Sequence, residues 1–158
     1  MDGKFDSRHP LVGLSDEVIR LNGRLKAMFA GARRPEGVND SEMTVLNAVV
    51  EADRPPTVPQ IGRSLGQPRQ LIQRAANSLI ASGLIEAAPN PDHKRAVLLR
   101  ATAQGIAIKR EIDARADAIA DAIAAGIDSD TVHAATASLR AIRKQLEARL
   151  RSADAGSN

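Results

Sequence analysis

The sequence predicts a mainly α-helical fold with one small β-hairpin. Apolar residues recur at helical steps of three and four through most of the 158 residues. Only Phe5 and Phe29 are aromatic, so the core must consist of Leu, Ile, Val and Ala, which suits close helix packing. Residues 84–100 instead contain two short apolar runs separated by a turn, as in a hairpin.

The composition excludes several classes of protein. Without cysteine, the chain has no disulfide bond and no thiol redox chemistry. No apolar run approaches the roughly 20 residues that a membrane-spanning helix needs, and the first ten residues contain no apolar signal segment. We therefore expect a cytoplasmic protein with no membrane partner.

Positive charge is concentrated in the middle of the chain. The formal net charge is +3, but residues 60–100 carry six basic and two acidic side chains, a local charge of +4. This distribution indicates a polyanionic partner for the middle segment.

Three helices are predicted before the middle of the chain. Asn39 and Glu42 have the spacing of a capping box and open the second helix. Thr57 and Gln60 repeat that spacing and open a short third helix, which ends at Gly66. The first helix has an apolar stripe of Leu14, Val18, Leu21, Leu25 and Met28.

The fourth helix has one apolar side and one side rich in hydrogen-bond donors. Pro68 is placed at its first position, where the missing N–H is harmless, and Gly83 is its expected left-handed terminator. The apolar side consists of Ile72, Ala75, Ala76 and Leu79. The polar side consists of Arg69, Gln70, Gln73, Arg74 and Asn77.

Two strands, at residues 84–88 and 96–100, follow this helix. The turn between them is rich in Pro, Asn and Asp and carries Lys94 and Arg95. Two short helices followed by such a hairpin predict a winged helix-turn-helix.

The last two helices have apolar stripes that one chain cannot cover. Thr102 begins a long Ala-rich helix that stops near Gly126, and Ser129 is the expected cap of the final helix. Because a single chain offers these helices too few neighbours, we expect a homodimer. The stripe of the final helix is Val132, Ala135, Leu139, Ile142, Leu146 and Leu150.

These elements divide the chain into four segments. We place an N-terminal arm and dimerisation helix at residues 1–35 and a winged helix-turn-helix lobe at residues 36–101. The C-terminal dimerisation helices occupy residues 102–151, and residues 152–158 are expected to form a disordered tail.

Residues 38–105 resemble the multiple-antibiotic-resistance regulator (MarR) family of winged-helix transcription factors. The similarity is carried by VNDSEMTVLNAV and by TVPQIGRSLGQPRQLIQRAANSLIASGLIEAAPNPDHKRAVLLRATAQG. It implies a homodimeric regulator whose fourth helix enters the DNA major groove and whose wing reaches the minor groove. By that resemblance the DNA-binding residues are Pro68, Arg69, Gln70, Gln73, Arg74, Asn77, Lys94 and Arg95.

Three positions depart from the family pattern. His93 occupies the place of an acidic residue that helps to hold the wing arginine, so either the wing is looser or Asp92 substitutes. Leu71 stands where a small hydroxyl residue is common. Ser78 stands where an arginine is frequent, which removes one phosphate contact.

The polar side of the fourth helix also suits DNA on chemical grounds. Arginine makes two-pronged contacts with guanine, and glutamine or asparagine makes them with adenine. A helix N-terminus directs N–H groups toward phosphate. The alternative is that this helix and the wing are ordinary solvated surfaces. The capped preceding helix, the basic hairpin and the resemblance together favour a DNA-binding surface.

Catalysis and metal binding are not indicated. His9, His93 and His133 lie on three separate segments without the spacing of a zinc site. The sequence has neither a nucleophile motif nor a Gly-rich phosphate loop. We expect no enzymatic activity, no cofactor and no metal.

The resemblance further implies a cleft for a small aromatic or phenolic effector between the dimerisation helices and the DNA-binding lobe. The residues expected to line it are Arg24, Met28, Met43, Leu46 and Asn47, with Arg24 as the counter-charge. The alternative is that these are ordinary core and surface positions.

The resulting hypothesis is a homodimeric repressor of pseudo-palindromic operators that an effector relieves. The alternative is a protein-interaction module whose winged helix has lost sequence-specific DNA binding. The altered wing and Ser78 keep this alternative open.

Overall fold

The computed structural model of the protein describes residues 8–33 and 37–155. Within these ranges, six helices and one two-stranded antiparallel sheet confirm the predicted fold class. The elements in chain order are α1 (Pro10–Arg33), α2 (Asp40–Val50), α3 (Val58–Leu65), α4 (Arg69–Ala81), β1 (Ile85–Ala88), β2 (Leu98–Ala101), α5 (Ala103–Ile123) and α6 (Ser129–Ala155). Among the described residues, no helix has the length and apolar character needed to cross a bilayer.

Both predicted capping boxes are present. The Asn39 side chain accepts from the Glu42 N–H at 2.9 Å, and the Glu42 carboxylate accepts from the Asn39 N–H at 2.9 Å. In the same way, Thr57 Oγ1 accepts from the Gln60 N–H at 3.4 Å while Gln60 Oε1 accepts from the Thr57 N–H at 2.8 Å. These reciprocal bonds fix where α2 and α3 begin.

The ends of α3 and α4 are fixed by glycine in the left-handed conformation. Gly66 has φ 61° and Gly83 has φ 74°, a region that side chains with a Cβ rarely occupy. The Leu84 N–H reaches back to the Leu79 carbonyl at 2.9 Å, and the Gly83 N–H reaches the Ile80 carbonyl at 3.0 Å. This bonding pattern is a Schellman motif, and it ends α4 at the predicted position.

Two helix starts differ from the sequence prediction by one residue. Pro68 is the N-cap of α4 and not its first residue, because its carbonyl already accepts from the N–H groups of Leu71 and Ile72. Asp128, and not Ser129, caps α6, since its carboxylate accepts the Thr131 N–H at 3.0 Å.

The strands and the tail also differ from the prediction. The Leu84 N–H takes part in the Schellman motif that follows α4, and β1 starts one residue later, at Ile85. A hydrogen bond from the Ala96 N–H to the His93 carbonyl holds the turn before β2 starts at Leu98. Residues 152–155, predicted as disordered, continue α6. Residues 1–7, the proposed boundary between residues 35 and 36, and residues 156–158 lie outside the described residues.

The hydrophobic core lies between α2, α3, α4 and the hairpin, and α5 closes one side of it. The antiparallel strands pair Ile85 with Ala101 and Ala88 with Leu98. The Leu99 N–H of β2 also donates to the Pro56 carbonyl at 2.8 Å, which fixes the wing to the loop before α3. The largest side chains that are fully buried are Val45, Leu46, Leu79, Ile85 and Leu99.

One tight joint connects the end of α4 to the start of α5. Thr102 Oγ1 donates to the Gly83 carbonyl at 2.7 Å and accepts from the Gly105 N–H at 3.0 Å. A Cβ atom added to Gly105 would lie 1.9 Å from the Leu84 carbonyl oxygen. Glycine is therefore required at position 105 by a close approach of two backbones.

A buried lysine makes a second connection between α5 and the core lobe. Lys109 is 7% exposed, and its ammonium group lies 2.5 Å from Asp113 and 3.5 Å from Glu51, the residue that ends α2. The two carboxylates compensate the charge that burial would otherwise leave unpaired.

In contrast, α1 and α6 have few neighbours. None of the described residues of α6 is buried, and α1 buries only Ala32 among its described side chains. Apolar side chains of both helices therefore face solvent in a single chain. They are Leu11, Val12, Val18, Ile19, Leu21 and Leu25 of α1, and Val132, Leu139, Leu146 and Leu150 of α6.

Replacing Gly105 with alanine is expected to destabilise the fold by about 1–3 kcal/mol or more, because the new methyl group overlaps the Leu84 carbonyl. Gly23→Ala is the matched control, since nothing lies within 4 Å of its added Cβ and alanine favours a helix interior by about 0.5–1 kcal/mol. Urea unfolding measures both variants. Equal stability of the two proteins would contradict the close approach.

The start of α6 is expected to depend on pH. Hydrogen bonds from the Thr131 hydroxyl and the Thr131 N–H lower the pKa of Asp128 below its ordinary value of 3.8. Because folding lowers this pKa, the cap contributes its full stabilisation when the pH is above the pKa of Asp128 in the unfolded chain. That stabilisation is lost as the pH falls through the pKa of Asp128 in the folded chain. Carbon-13 NMR titration should give a midpoint below 3.8. Asp128→Asn keeps the oxygen acceptor and should leave the start of α6 independent of acid; a wild-type midpoint at or above the ordinary value contradicts the assignment.

Candidate nucleic-acid interface

The structure divides α4 as the sequence predicted. Its buried residues Ile72, Ala75, Ala76 and Leu79 pack toward α2 and α3. Its opposite side is exposed and carries Arg69, Gln70, Gln73, Arg74 and Asn77, preceded by exposed Pro68. The polar groups thus stand on a rigid, buried base, as a helix that reads another surface requires.

Two of these polar side chains are joined to each other. The Gln73 amide donates to Asn77 Oδ1 at 3.0 Å, one helical turn away. This bond uses one of the four amide hydrogens in the pair, so the others can still donate to a base edge. Mutual bonding reduces the rotamer freedom of both side chains before any ligand is bound.

The wing and the helix-turn-helix enclose a basic cleft of about 640 Å³. Arg69 from the start of α4 and Arg95 from the wing both line it, so the structure brings together two residues that are 26 positions apart. Lys94 is exposed in the turn beside them. The cleft offers several guanidinium groups in one concave surface, which suits a phosphate backbone.

Two arginines of this cleft were missed by the sequence reasoning. Arg54, in the loop before α3, and Arg63, on α3, line the cleft with Arg69 and Arg95. No local pattern marks Arg54, and Arg63 contributed only to the charge of its segment. The position of the wing over α3 is what assembles the four.

In the part of the chain that the structure describes, the wing arginine, Arg95, also lacks the carboxylate partner that the family pattern supplies. Asp92 and His93 line the cleft, but Asp92 forms no ion pair with Arg95 among the described residues. Instead, the Asp92 N–H donates to the Asn90 side chain at 3.0 Å, which shapes the turn itself. The hypothesis that Asp92 replaces the missing carboxylate is therefore wrong in this conformation.

A smaller cavity of about 380 Å³ separates α4 from the start of α2. Leu71 and Arg74 line it from α4, and Asp40 and Glu42 line it from α2. Leu71 is half-buried there, which gives its side chain a packing role at the edge of the interface.

The five residues predicted for an effector cleft do not line a common cavity among those described. Met43 and Leu46 are 6% and 0% exposed and belong to the core, while Arg24 is exposed on α1 and Met28 is half-buried. Asn47 lines a separate cavity of about 750 Å³ between α2 and α3, and its Oδ1 is buried without a hydrogen-bond partner. Over the described ranges, no group of three or more His, Asp or Glu side chains is arranged to hold a metal ion.

Known proteins are similar to this chain in sequence and in architecture. The family model described as MarR family matches residues 36–96. The uncharacterized protein Rv2011c of Mycobacterium tuberculosis is 34% identical over 142 residues, covering 85% of this chain and 98% of the relative. The chain belongs to the MarR family of winged-helix transcriptional regulators.

Solved structures show the same fold. A MarR-family transcriptional regulator from Rhodococcus sp. RHA1 superposes with a TM-score of 0.75 at 21% identity, covering 87% of this chain and 96% of that one. CouR from Rhodococcus jostii RHA1, bound to p-coumaroyl-CoA, gives 0.70 at 22% identity, with coverage of 82% and 91%. A mutant of Escherichia coli MarR complexed with operator DNA gives 0.69 at 20% identity, with coverage of 84% and 94%.

Proposed function

We propose that this protein is a cytoplasmic, homodimeric repressor that binds pseudo-palindromic operator DNA through α4 and the wing. The observation that carries the proposal is the exposed polar side of α4 standing beside a cleft lined by four arginines. A structural relative complexed with operator DNA supports the same use of the fold.

The two parts of this surface have different roles in the proposal. Side chains of α4 beyond Pro68 read base edges in the major groove, because arginine and the side-chain amides can each make two hydrogen bonds to one base. Lys94 and Arg95 of the wing reach the minor groove. Arg54 and Arg63 bind backbone phosphates and position the lobe, since they line the cleft from α3 and the loop before it, outside the recognition helix and the wing.

The exposed apolar side chains of α1 and α6 support the proposed dimer. A helix of 27 residues without one buried described residue gains little apolar burial from its own chain, and packing against a second copy would remove its apolar surface from water. Two copies related by a twofold axis would place their recognition helices about one DNA turn, roughly 34 Å, apart.

An effector is a further part of the proposal. The relative CouR is bound to p-coumaroyl-CoA, which supports a small aromatic or phenolic ligand for this chain as well. Exposed Arg24 remains the proposed counter-charge of the ligand, and Asn47 would contribute a polar atom. Met43 and Leu46 are core residues and would not contact the ligand directly. Such a ligand would act by changing the separation of the two recognition helices.

Selection of bound sequences from a random duplex pool tests the DNA-binding function. A regulator of this kind enriches an inverted repeat whose halves are centred about 10 base pairs apart. If no sequence is enriched, the winged helix has lost specific binding and the protein-interaction module becomes the better account.

Arginine variants then separate base contacts from phosphate contacts on the enriched duplex. Arg69→Ala should cost about 1–3 kcal/mol on that duplex and much less on random DNA. Arg63→Ala should weaken both duplexes alike and reduce the logarithmic salt slope by about 0.9 per lost phosphate contact. Arg110→Ala is the control, since it removes an equal charge from the exposed side of α5; a slope change as large as that of Arg63→Ala would contradict the assignment of the cleft.

Light scattering measures the assembly directly. The wild-type chain should have about twice the 16.8 kDa mass of one copy at micromolar concentration. Leu146→Glu places a charge on the apolar stripe of α6 and should raise the dimer dissociation constant at least about tenfold, given roughly 1.5–3 kcal/mol for a buried leucine. Gln145→Glu adds the same charge one position away and should leave the dimer intact. A wild-type monomer contradicts the dimer outright.

A further inference from the structure

A hydrogen bond joins the recognition helix to the start of α2 across 36 positions of sequence. The Ser78 hydroxyl donates to Glu42 Oε1 at 2.6 Å, a short distance typical of a bond to an ionised carboxylate. The other oxygen of the same carboxylate accepts from the Asn39 N–H at 2.9 Å in the capping box. Both oxygens of Glu42 are thus held by defined donors.

Arg74 lies beside this arrangement. It lines the same small cavity as Glu42 and Asp40, yet it makes no ion pair with any described residue. Asp40 is already paired with Lys26 of α1 at 3.5 Å. Each acidic side chain beside Arg74 therefore has another partner, which leaves the guanidinium group on the exposed side of α4.

We propose that Ser78 is a positioning residue that keeps Arg74 directed toward DNA by occupying the Glu42 carboxylate. This inference rests on the proposed DNA-binding function and explains how one of its DNA contacts, that of Arg74, is positioned. When the serine donor is removed, one Glu42 oxygen loses its partner on the side where Arg74 lies. The arginine then turns back to form an ion pair with Glu42 and withdraws from the major groove.

Binding experiments on the operator enriched by the wild-type protein test this role. Ser78→Ala should lose roughly tenfold in operator affinity and lose base preference at the position that Arg74→Ala also affects. Ser78→Thr keeps the hydroxyl and should restore both. Ser82→Ala is the matched control, because the Ser82 hydroxyl bonds only to carbonyls of its own helix.

Two double variants distinguish positioning of Arg74 from a general loss of structure. Adding Ser78→Ala to Arg74→Ala should cause no further loss of base preference. Glu42→Gln keeps the capping box but removes the negative charge, so combining it with Ser78→Ala should recover most of the preference. If Ser78→Ala lowers affinity for operator and random DNA equally in every background, the proposal is wrong.

A crystal structure of Ser78→Ala without DNA decides the geometric claim by itself. The Arg74 guanidinium should lie within 4 Å of the Glu42 carboxylate in the variant and not in the wild type. An unchanged Arg74 overturns the proposal whether or not the wild-type protein selects an operator. Absence of operator selection, with the ion pair formed in the variant, would instead refute only the proposed function.

Discussion

The Leu84 carbonyl and the backbone of Gly105 approach so closely that no side chain fits between them. This contact, closed by the Thr102 hydroxyl, locks the end of α4 to the start of α5. The consequence is mechanical, because the helix that carries the polar groups cannot tilt without moving the long helix that follows the wing. A ligand or partner that shifts α5 would therefore also shift α4, because a rigid contact and not a flexible linker connects the two helices.

The lobe between these elements is built so that its charged groups stay on one side. The apolar residues of α4 are buried against α2 and α3, while Arg63 of α3, Arg69 of α4 and Arg95 of the wing line one cleft. Acidic side chains at the start of α2 lie close to this surface but have their own partners, Lys26 for Asp40 and Ser78 for Glu42. The Lys26 ammonium group offsets the charge of Asp40, whereas the Ser78 hydroxyl orients the Glu42 carboxylate without neutralising it.

Stability is distributed unevenly along the chain. The winged lobe and the first half of α5 bury a continuous core, whereas α6 buries none of its described side chains and α1 almost none. In a single chain, the winged lobe therefore has a buried core, whereas α1 and α6 leave apolar side chains exposed. In the proposed dimer, assembly and the orientation of the two winged lobes would be determined together, since α1 and α6 would serve both.

The sequence by itself determined the elements, because their signals are local. Three of these signals act within a few positions: the capping boxes of Asn39 with Glu42 and of Thr57 with Gln60, the glycine at position 83, and the helical period of apolar residues. The resemblance to MarR regulators, in turn, indicated the polar side of α4. Tertiary structure alone decided what each surface faces. It brought Arg54 and Arg63 into the wing cleft, joined Ser78 to Glu42, and placed Met43 and Leu46 in the core instead of a cleft. The physical reason is that periodicity gives the side of a helix on which a residue lies, whereas its neighbours across the gap depend on how α2, α3, α4 and β2 pack.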